Sequence, residues 1–438
     1  MQLTVAPDGG TGGLQSRLFA RLDDRLTVDD DRPVALALSG GGDSIALMRM
    51  TAAWAQKRGR PVLALTVDHG LNPDSPAWTR FAGEAAQAAG CAWRGLVWTG
   101  DKPVAGLTAA ARAARHRLIA EAARAAGARV VLMAHTADDA AEADLMRAEG
   151  STLGRVREWA PSPAWPEGRG LMLLRPLLGE RRETLRAWLR DQGADWIEDP
   201  ANADPRFGRS RARQALADRA VADLPAEAPP ATAPRKSGAV QPVRFSSEGL
   251  IQTSRDIEPR VLATALVCIG GGSTPPRGER LARLIRRLRA GEDFAVVLCG
   301  ARIEAEGQAV LMMREAGELA RAARPDLDLI PGVETVWDGR FVFEADEAGW
   351  RVGAARGRLA QLAPSDRAAL GRLPSAARGA EPVLIRDDEG APVLASPAVR
   401  RRDLAPERLR LALGETTHED DLIAPPWRNA AEAPIFRD

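Results

Sequence analysis

Between residues 33 and 192, short unbroken apolar runs alternate with longer segments of helical pattern. PVALALS (33–39), PVLALTVDHG (61–70), CAWRGLVWT (91–99), ARVVLMAH (128–135) and GLMLLRPLL (170–178) read as strands. Segments 44–59, 76–90, 106–127 and 180–192 read as helices, the first two closed by Gly59 and Gly90. A strand with no polar alternation must be buried on both faces, and strands separated by helices meet that demand as a parallel sheet covered on each side. The expected fold is therefore α/β, a Rossmann-like parallel sheet flanked by helices. Ligands of such sheets gather at the carboxyl ends of the strands, and Ser39, Asp68 and His135 all fall there.

At 438 residues the chain exceeds one ordinary core; roughly 150 residues per domain gives two or three domains. A content of 45% hydrophobic and 27% charged residues is that of a soluble globular protein. We expect a catalytic domain over 1–220. A linker (ADLPAEAPPATAPRKSGAVQP, from about 222) and a smaller, mainly helical domain would follow over 221–320, and a mixed α/β domain over 321–438. A net charge of +1 gives no global argument for nucleic acid or membrane. No two of Cys91, Cys268 and Cys299 are close enough for a C-x-x-C pair, which argues against a local iron–sulfur or zinc knuckle and fits a reducing, cytoplasmic setting. The stretch MQLTVAPDGG has no basic region followed by an apolar core, and no apolar run approaches bilayer length, so no membrane partner is expected.

The turn between the first strand and its helix is SGGGDS, Ser39 to Ser44. Residues without side chains let backbone N–H groups approach a ligand, and a helix N-terminus adds positive partial charge, so an anion, phosphate above all, suits this turn. A glycine-rich turn with no ligand is the plain alternative. The loop lacks the lysine of G-x-x-x-x-G-K-[ST] and does not fit G-x-G-x-x-G in its usual dinucleotide context. It resembles instead the PP-loop of ATP pyrophosphatases, which cleave ATP between the α and β phosphates. That resemblance implies that Ser39, Gly40, Gly41, Gly42, Asp43 and Ser44 hold the pyrophosphate portion of ATP, with Asp43 also binding Mg²⁺.

Further stretches narrow the resemblance. VDHGL (67–71), AAARAARHRL (109–118), AHTADDAAEADLMRAEGS (134–151), RPLL...R (175–181) and WIEDPANADPRFGRSRAR (196–213) are similar to segments of the tRNA(Ile)-lysidine synthases. Departures are Thr108 where glutamate is common, His116 where tyrosine is common, Ser210 where asparagine is common, and Thr136 in place of a second histidine. Members of this family join L-lysine to C2 of the wobble cytidine of a tRNA(Ile) with a CAU anticodon, after ATP has adenylated the C2 oxygen. For this chain the resemblance implies ATP and Mg²⁺ as cofactors, Asp68 near the adenosine, and Arg112 reaching the cytidine or neutralising charge on adenylation. His135 would donate a hydrogen bond to the phosphates or the transition state.

Asp138 and Glu142 are four apart on a helix and so share a face, with Asp139 adjacent; they suit the cationic lysine substrate or a metal, or else simply complement the helix dipole. Arg206, Arg209, Arg211 and Arg213 suit tRNA phosphates, as do Arg280, Arg283, Arg286, Arg287 and Arg289 around an apolar stripe of Leu281, Leu284, Ile285 and Leu288; a solvated helix face explains the latter equally well. A tRNA cytidine thiolase, another PP-loop ligase such as NAD synthetase, and a non-catalytic nucleotide-binding module are the competing readings.

Overall fold

In a computed structural model the protein is described over residues 11–150, 154–200, 208–220, 243–246, 249–322, 325–387, 390–423 and 426–429. Two compact units emerge: the residues up to Lys236 together with Thr416–Leu422, and those from Ser237 to Glu415 together with the residues beyond Leu422. Segments 221–320 and 321–415 are not separated from each other by this division. The proline-rich stretch expected as a linker lies outside the described residues.

The first unit runs α1 (Thr11–Arg25), β1 (Val34–Ala37), α2 (Gly42–Arg58), β2 (Val62–Asp68), α3 (Ser75–Ala88), β3 (Ala92–Val97) and α4 (Leu107–Ala125). It continues with β4 (Val130–Leu132), α5 (Ala137–Ala148), β5 (Trp159–Pro161), β6 (Met172–Leu174), α6 (Arg182–Asp191) and α7 (Gly208–Ala220). The six-stranded sheet has the order β3-β2-β1-β4-β6-β5. All neighbours pair parallel except β5, which is antiparallel to β6. The strands β1, β4 and β6 are buried along almost their whole length, which is why their sequences show no alternation. At the edge, β3 has no fully buried residue and leaves Val97 exposed. At the other edge β5 ends in Pro161, a residue that cannot donate to a ladder and is tolerated there. Neither α1 nor β5 was expected from the sequence; α1 docks through Leu14, Leu18 and Leu22, all buried, and Leu26 just beyond it is buried too.

The second unit holds β7 (Arg244–Phe245), β8 (Ile251–Ser254), α8 (Pro259–Ile269), α9 (Gly278–Arg289), β9 (Phe294–Leu298), β10 (Ala301–Glu306) and β11 (Ala309–Arg314). After α10 (Ala316–Arg321) come β12 (Leu327–Leu329), β13 (Thr335–Trp337), β14 (Phe341–Ala345) and β15 (Trp350–Ala354). The last elements are α11 (Pro364–Gly371), α12 (Ser375–Arg378), β16 (Pro382–Arg386), β17 (Val399–Asp403), α13 (Ala405–Leu413) and β18 (Arg428–Asn429). Where the sequence led us to expect mainly helix, α8 and α9 pack on a five-stranded antiparallel sheet, β7-β8-β11-β10-β9. Within this sheet β9, β10 and β11 follow one another through tight turns at Gly300 and Gly307. Two smaller antiparallel sheets, β12-β15-β16 and β13-β14-β17-β18, follow.

Candidate functional site

The loop after β1 is built by close backbone approach. Gly40 has φ +87°, and a Cβ there would lie 2.5 Å from Ile197 Cδ1. Only glycine avoids both the left-handed strain and that clash. Ile197 in turn donates its N–H to Gly40 O at 2.9 Å, and Gly41 pairs with Ile197 as a parallel bridge. The WIEDP segment therefore pins the loop through its backbone. Within the loop, Ser44 Oγ donates to Gly41 O (2.8 Å), accepts from Ser39 N–H (3.2 Å) and lies 3.1 Å from Ser39 Oγ. Ser44 is 5% exposed, so its hydroxyl shapes the loop from within, whereas Ser39 is exposed. Helix α2 begins at Gly42, placing Asp43 in its first turn, where N–H groups have no acceptor inside the helix.

Four carboxylates converge on one arginine near this loop, three of them on its guanidinium. Arg182, at the start of α6, donates from Nε to Asp43 Oδ2 (3.1 Å), from Nη1 to Glu142 Oε1 (3.2 Å) and from Nη2 to Asp139 Oδ1 (3.3 Å). Its backbone N–H donates to Asp138 Oδ2 at 2.8 Å. Burial works against the Arg182 charge, but Asp139, Asp43 and Glu142 outweigh it and hold the guanidinium protonated. Burial raises the Asp43 carboxyl above its ordinary value despite Arg182. Glu142 is 1% exposed and also accepts from Arg213 Nε (2.9 Å), while its Oε2 is buried with no hydrogen bond. Asp139 belongs to a capping box, accepting from Thr136 N–H (2.9 Å) and returning its own N–H to Thr136 Oγ1 (3.4 Å). Burial opposes its charge, yet the Thr136 N–H and Arg182 keep its pKa below the ordinary carboxylate value.

The residues expected to touch tRNA divide. Arg213 pairs with Glu142, and Arg209 Nη1 lies 4.0 Å from Asp139, because α7 packs on α5. Arg211 is exposed, and Arg206 lies outside the described residues. In the second unit the expected stripe is buried at Leu284, Ile285 and Leu288, leaving Arg280, Arg283, Arg286 and Arg289 exposed. Arg287 instead lies over the Phe294 ring at 4.1 Å and donates to Glu292.

In a second group of cations, Arg112, Arg115 and Arg175 form no ion pair with a carboxylate among the described residues. Arg112 is exposed on α4 and forms no ion pair among the described residues. One turn on, Arg115 has a buried Nε without a hydrogen bond, and burial together with Arg112 and Arg209 pushes its pKa down to about 10. Arg175 is 8% exposed and pushed to about 10 by burial, Arg112 and Arg157. His135, 9% exposed at the end of β4, accepts at Nδ1 from Arg175 Nε (3.2 Å); burial and then Arg175 drive its pKa down to about 3. Its neighbour His116 is 5% exposed, its Nε2 has no partner, and burial and Arg115 lower it to about 3. At the end of β2, Asp68 accepts Gly70 N–H at Oδ1 (2.7 Å), which is a turn-forming bond.

Thus Ser39 to Ser44, Asp68 and His135 stand at the carboxyl ends of the parallel strands as expected. Asp43, Asp138, Asp139 and Glu142 are brought together through Arg182, a residue that sequence reasoning did not single out. Its only signal was its place four residues after RPLL.

The PP-loop domain family matches residues 14–220. The chain is 46% identical to the tRNA(Ile)-lysidine synthase of Caulobacter vibrioides over 404 residues, covering 90% of this chain and 96% of that protein. It is 38% identical to that of Hyphomonas neptunium over 317 residues, covering 68% and 85% respectively. Among solved structures, the U34-tRNA thiolase NcsA from Methanococcus maripaludis aligns with a TM-score of 0.40 at 16% identity, over 48% of this chain and 72% of that one.

Proposed function

Since this chain belongs to the tRNA(Ile)-lysidine synthase family, we propose that it forms lysidine in tRNA(Ile) by ATP-dependent ligation of L-lysine to C2 of the wobble cytidine of a CAU anticodon. The carrying observation is that relatedness, which spans 90% of the chain rather than the PP-loop domain alone. A cytidine thiolase or a nucleotide sensor has no comparable support.

The chemistry divides into two steps. The cytidine C2 oxygen attacks the α-phosphorus of ATP; a P–O bond forms and the bond to pyrophosphate breaks. The lysine ε-amine then attacks C2, a C–N bond forms, AMP leaves with the former C2 oxygen, and the amine gives up a proton. Phosphoryl transfer of this kind needs positioning and charge stabilisation more than covalent help from the protein. In our reading the N–H groups at the start of α2 and the exposed Ser39 hydroxyl hold the departing pyrophosphate, with Ser44 bracing the loop. Asp43 would hold Mg²⁺, which commonly takes one or two carboxylates with phosphate and water completing its shell; it would neutralise phosphate charge. Arg112 and Arg115 form no ion pair with a carboxylate among the described residues, and leaving the largely buried Arg115 charge uncompensated is costly. A phosphate in transfer would relieve that cost.

Asp138 and Glu142 would receive the lysine ammonium, and Arg182 stands in for that cation until it arrives. Exposed arginines of α9, with Arg206 and Arg211, would meet tRNA phosphates, and the second unit would grip the tRNA. No helix among the described residues is long and apolar enough to cross a membrane, and we place the reaction in the cytoplasm.

The test is incorporation of radiolabelled lysine into a tRNA(Ile) transcript. Incorporation should require ATP and Mg²⁺, release AMP and pyrophosphate, and vanish when the CAU anticodon is changed. Asp43→Ala, folded, should lose activity by on the order of a hundredfold or more. Lysine incorporation that ignores the anticodon, or ATP turnover without it, would defeat this reading.

A further inference from the structure

We propose that Arg175 is a positioning residue that fixes His135 as the Nε2-protonated tautomer, so that the imidazole serves the reaction as a hydrogen-bond donor and not as a proton acceptor. The argument is one of donors and acceptors. Arg175 Nε lies 3.2 Å from His135 Nδ1. A guanidinium carries only N–H groups, offers no acceptor and does not deprotonate in proteins. Nδ1 must therefore present its lone pair, and a neutral imidazole whose Nδ1 is bare carries its proton on Nε2. The imidazolium form would set N–H against N–H across this contact.

Arg175 is itself held in place. Its Nη1 donates to Arg157 O at 2.7 Å and its backbone N–H to Glu158 O at 2.8 Å. The pair is set by the sheet: Leu132 is in register with Leu174, and Met133 N–H donates to Leu174 O at 2.9 Å. His135 and Arg175 thus emerge from the carboxyl ends of two neighbouring parallel strands, β4 and β6. Among the described residues His135 makes no second side-chain hydrogen bond, so the Nε2–H remains for a ligand. Burial agrees with the assignment, since it too favours the neutral ring.

This inference rests on the reading of His135 as an active-site residue; the tautomer itself does not. The chain has four histidines, so two-bond proton–nitrogen correlation spectra of the full-length protein, labelled with ¹⁵N-histidine and assigned with His135→Gln, resolve each ring. At pH 7 His135 should show a bare Nδ1 and a protonated Nε2. Arg175→Met should turn this into a mixture of tautomers and slow single-turnover lysidine formation by about a hundredfold, the cost of a lost active-site donor, with the KM for ATP moving far less. A glutamine at position 135 carries an amide N–H₂ at the Nε2 place whatever Arg175 does, so in His135→Gln the Arg175→Met change should cost no more than about twofold.

A protonated Nδ1 or an imidazolium in the parent protein overturns the proposal. An Arg175→Met spectrum identical to the parent's, or the full Arg175 effect in the His135→Gln background, does the same. Should Arg175→Met fail to fold, the parent spectrum and Arg175→Lys decide: lysine keeps the charge but loses the fixed fork, and the tautomer bias should weaken. Full activity of His135→Phe alongside the expected tautomer would overturn the role given to His135 and leave the assignment standing.

Discussion

At the residue scale, the site is sorted by whether a cation has a carboxylate to face. Arg182 has several, whereas Arg112 and Arg115 have none among the described residues. Arg112→Ala should therefore lower the rate of adenylation strongly while ATP affinity changes by less than about threefold, read from pyrophosphate release against nucleotide binding; equal losses would mark a structural arginine. His116 gives a pH test. Its pKa is about 3 in the folded chain, lowered by burial and Arg115, against about 6.5 unfolded. Between these values the unfolded chain binds the extra proton, so stability falls as pH falls through that window. Going from pH 7 to pH 5 should cost about 2 kcal/mol through this group alone. His116→Phe should remove that share of the loss in urea unfolding. Asp138 and Glu142 were legible as a pair because four residues is one helical turn. Their partner was not, since Arg182 comes from a different element and its contact, Glu142 Oε1 at 3.2 Å, joins α6 to α5.

At the element scale, the loop before α2 depends on a segment more than 150 positions later. Gly40 is fixed by its φ of +87° and by Ile197 Cδ1. Gly40→Ala should cost about 1–3 kcal/mol of backbone strain and weaken ATP binding, checked by thermal unfolding with and without ATP; unchanged binding would mean the loop shape is not what holds the nucleotide. Parallel strands were legible from their unbroken apolar runs. Helix α1 carried a legible signal as well, Leu14, Leu18, Leu22 and Leu26 at a spacing of four, masked by the polar residues between. The antiparallel sheet of the second unit was harder. Its strand β10 alternates buried and half-buried residues, but short alternating runs beside two clear helices give little sign of how many strands pair. Pairing is non-local, and loop residues such as Cys299, at φ 54°, do not announce it.

For the whole molecule, the first unit is completed by residues far along the chain. Glu419 and Arg60 pair at 2.7 Å with both side chains fully buried, and Glu419 Oε2 also accepts Thr27 N–H at 3.1 Å. Removing one member of such a pair leaves a buried charge alone, so Glu419→Ala should cost about 3–5 kcal/mol in denaturant unfolding. A loss below about 1 kcal/mol would show that Thr416–Leu422 is not integral to this unit. Sequence by itself determined the parallel α/β sheet, the phosphate-suited loop at its carboxyl edge and the relatedness that carries the function, because burial pattern and local backbone chemistry are written in neighbouring residues. Only the tertiary structure decided that Arg182 bridges the acidic cluster, that Arg175 faces His135, that Ile197 braces Gly40 and that Glu419 returns to Arg60. Each joins residues whose separation along the chain says nothing of their separation in space, and the hydrogen bonds that tie them exist only once the chain has closed those loops.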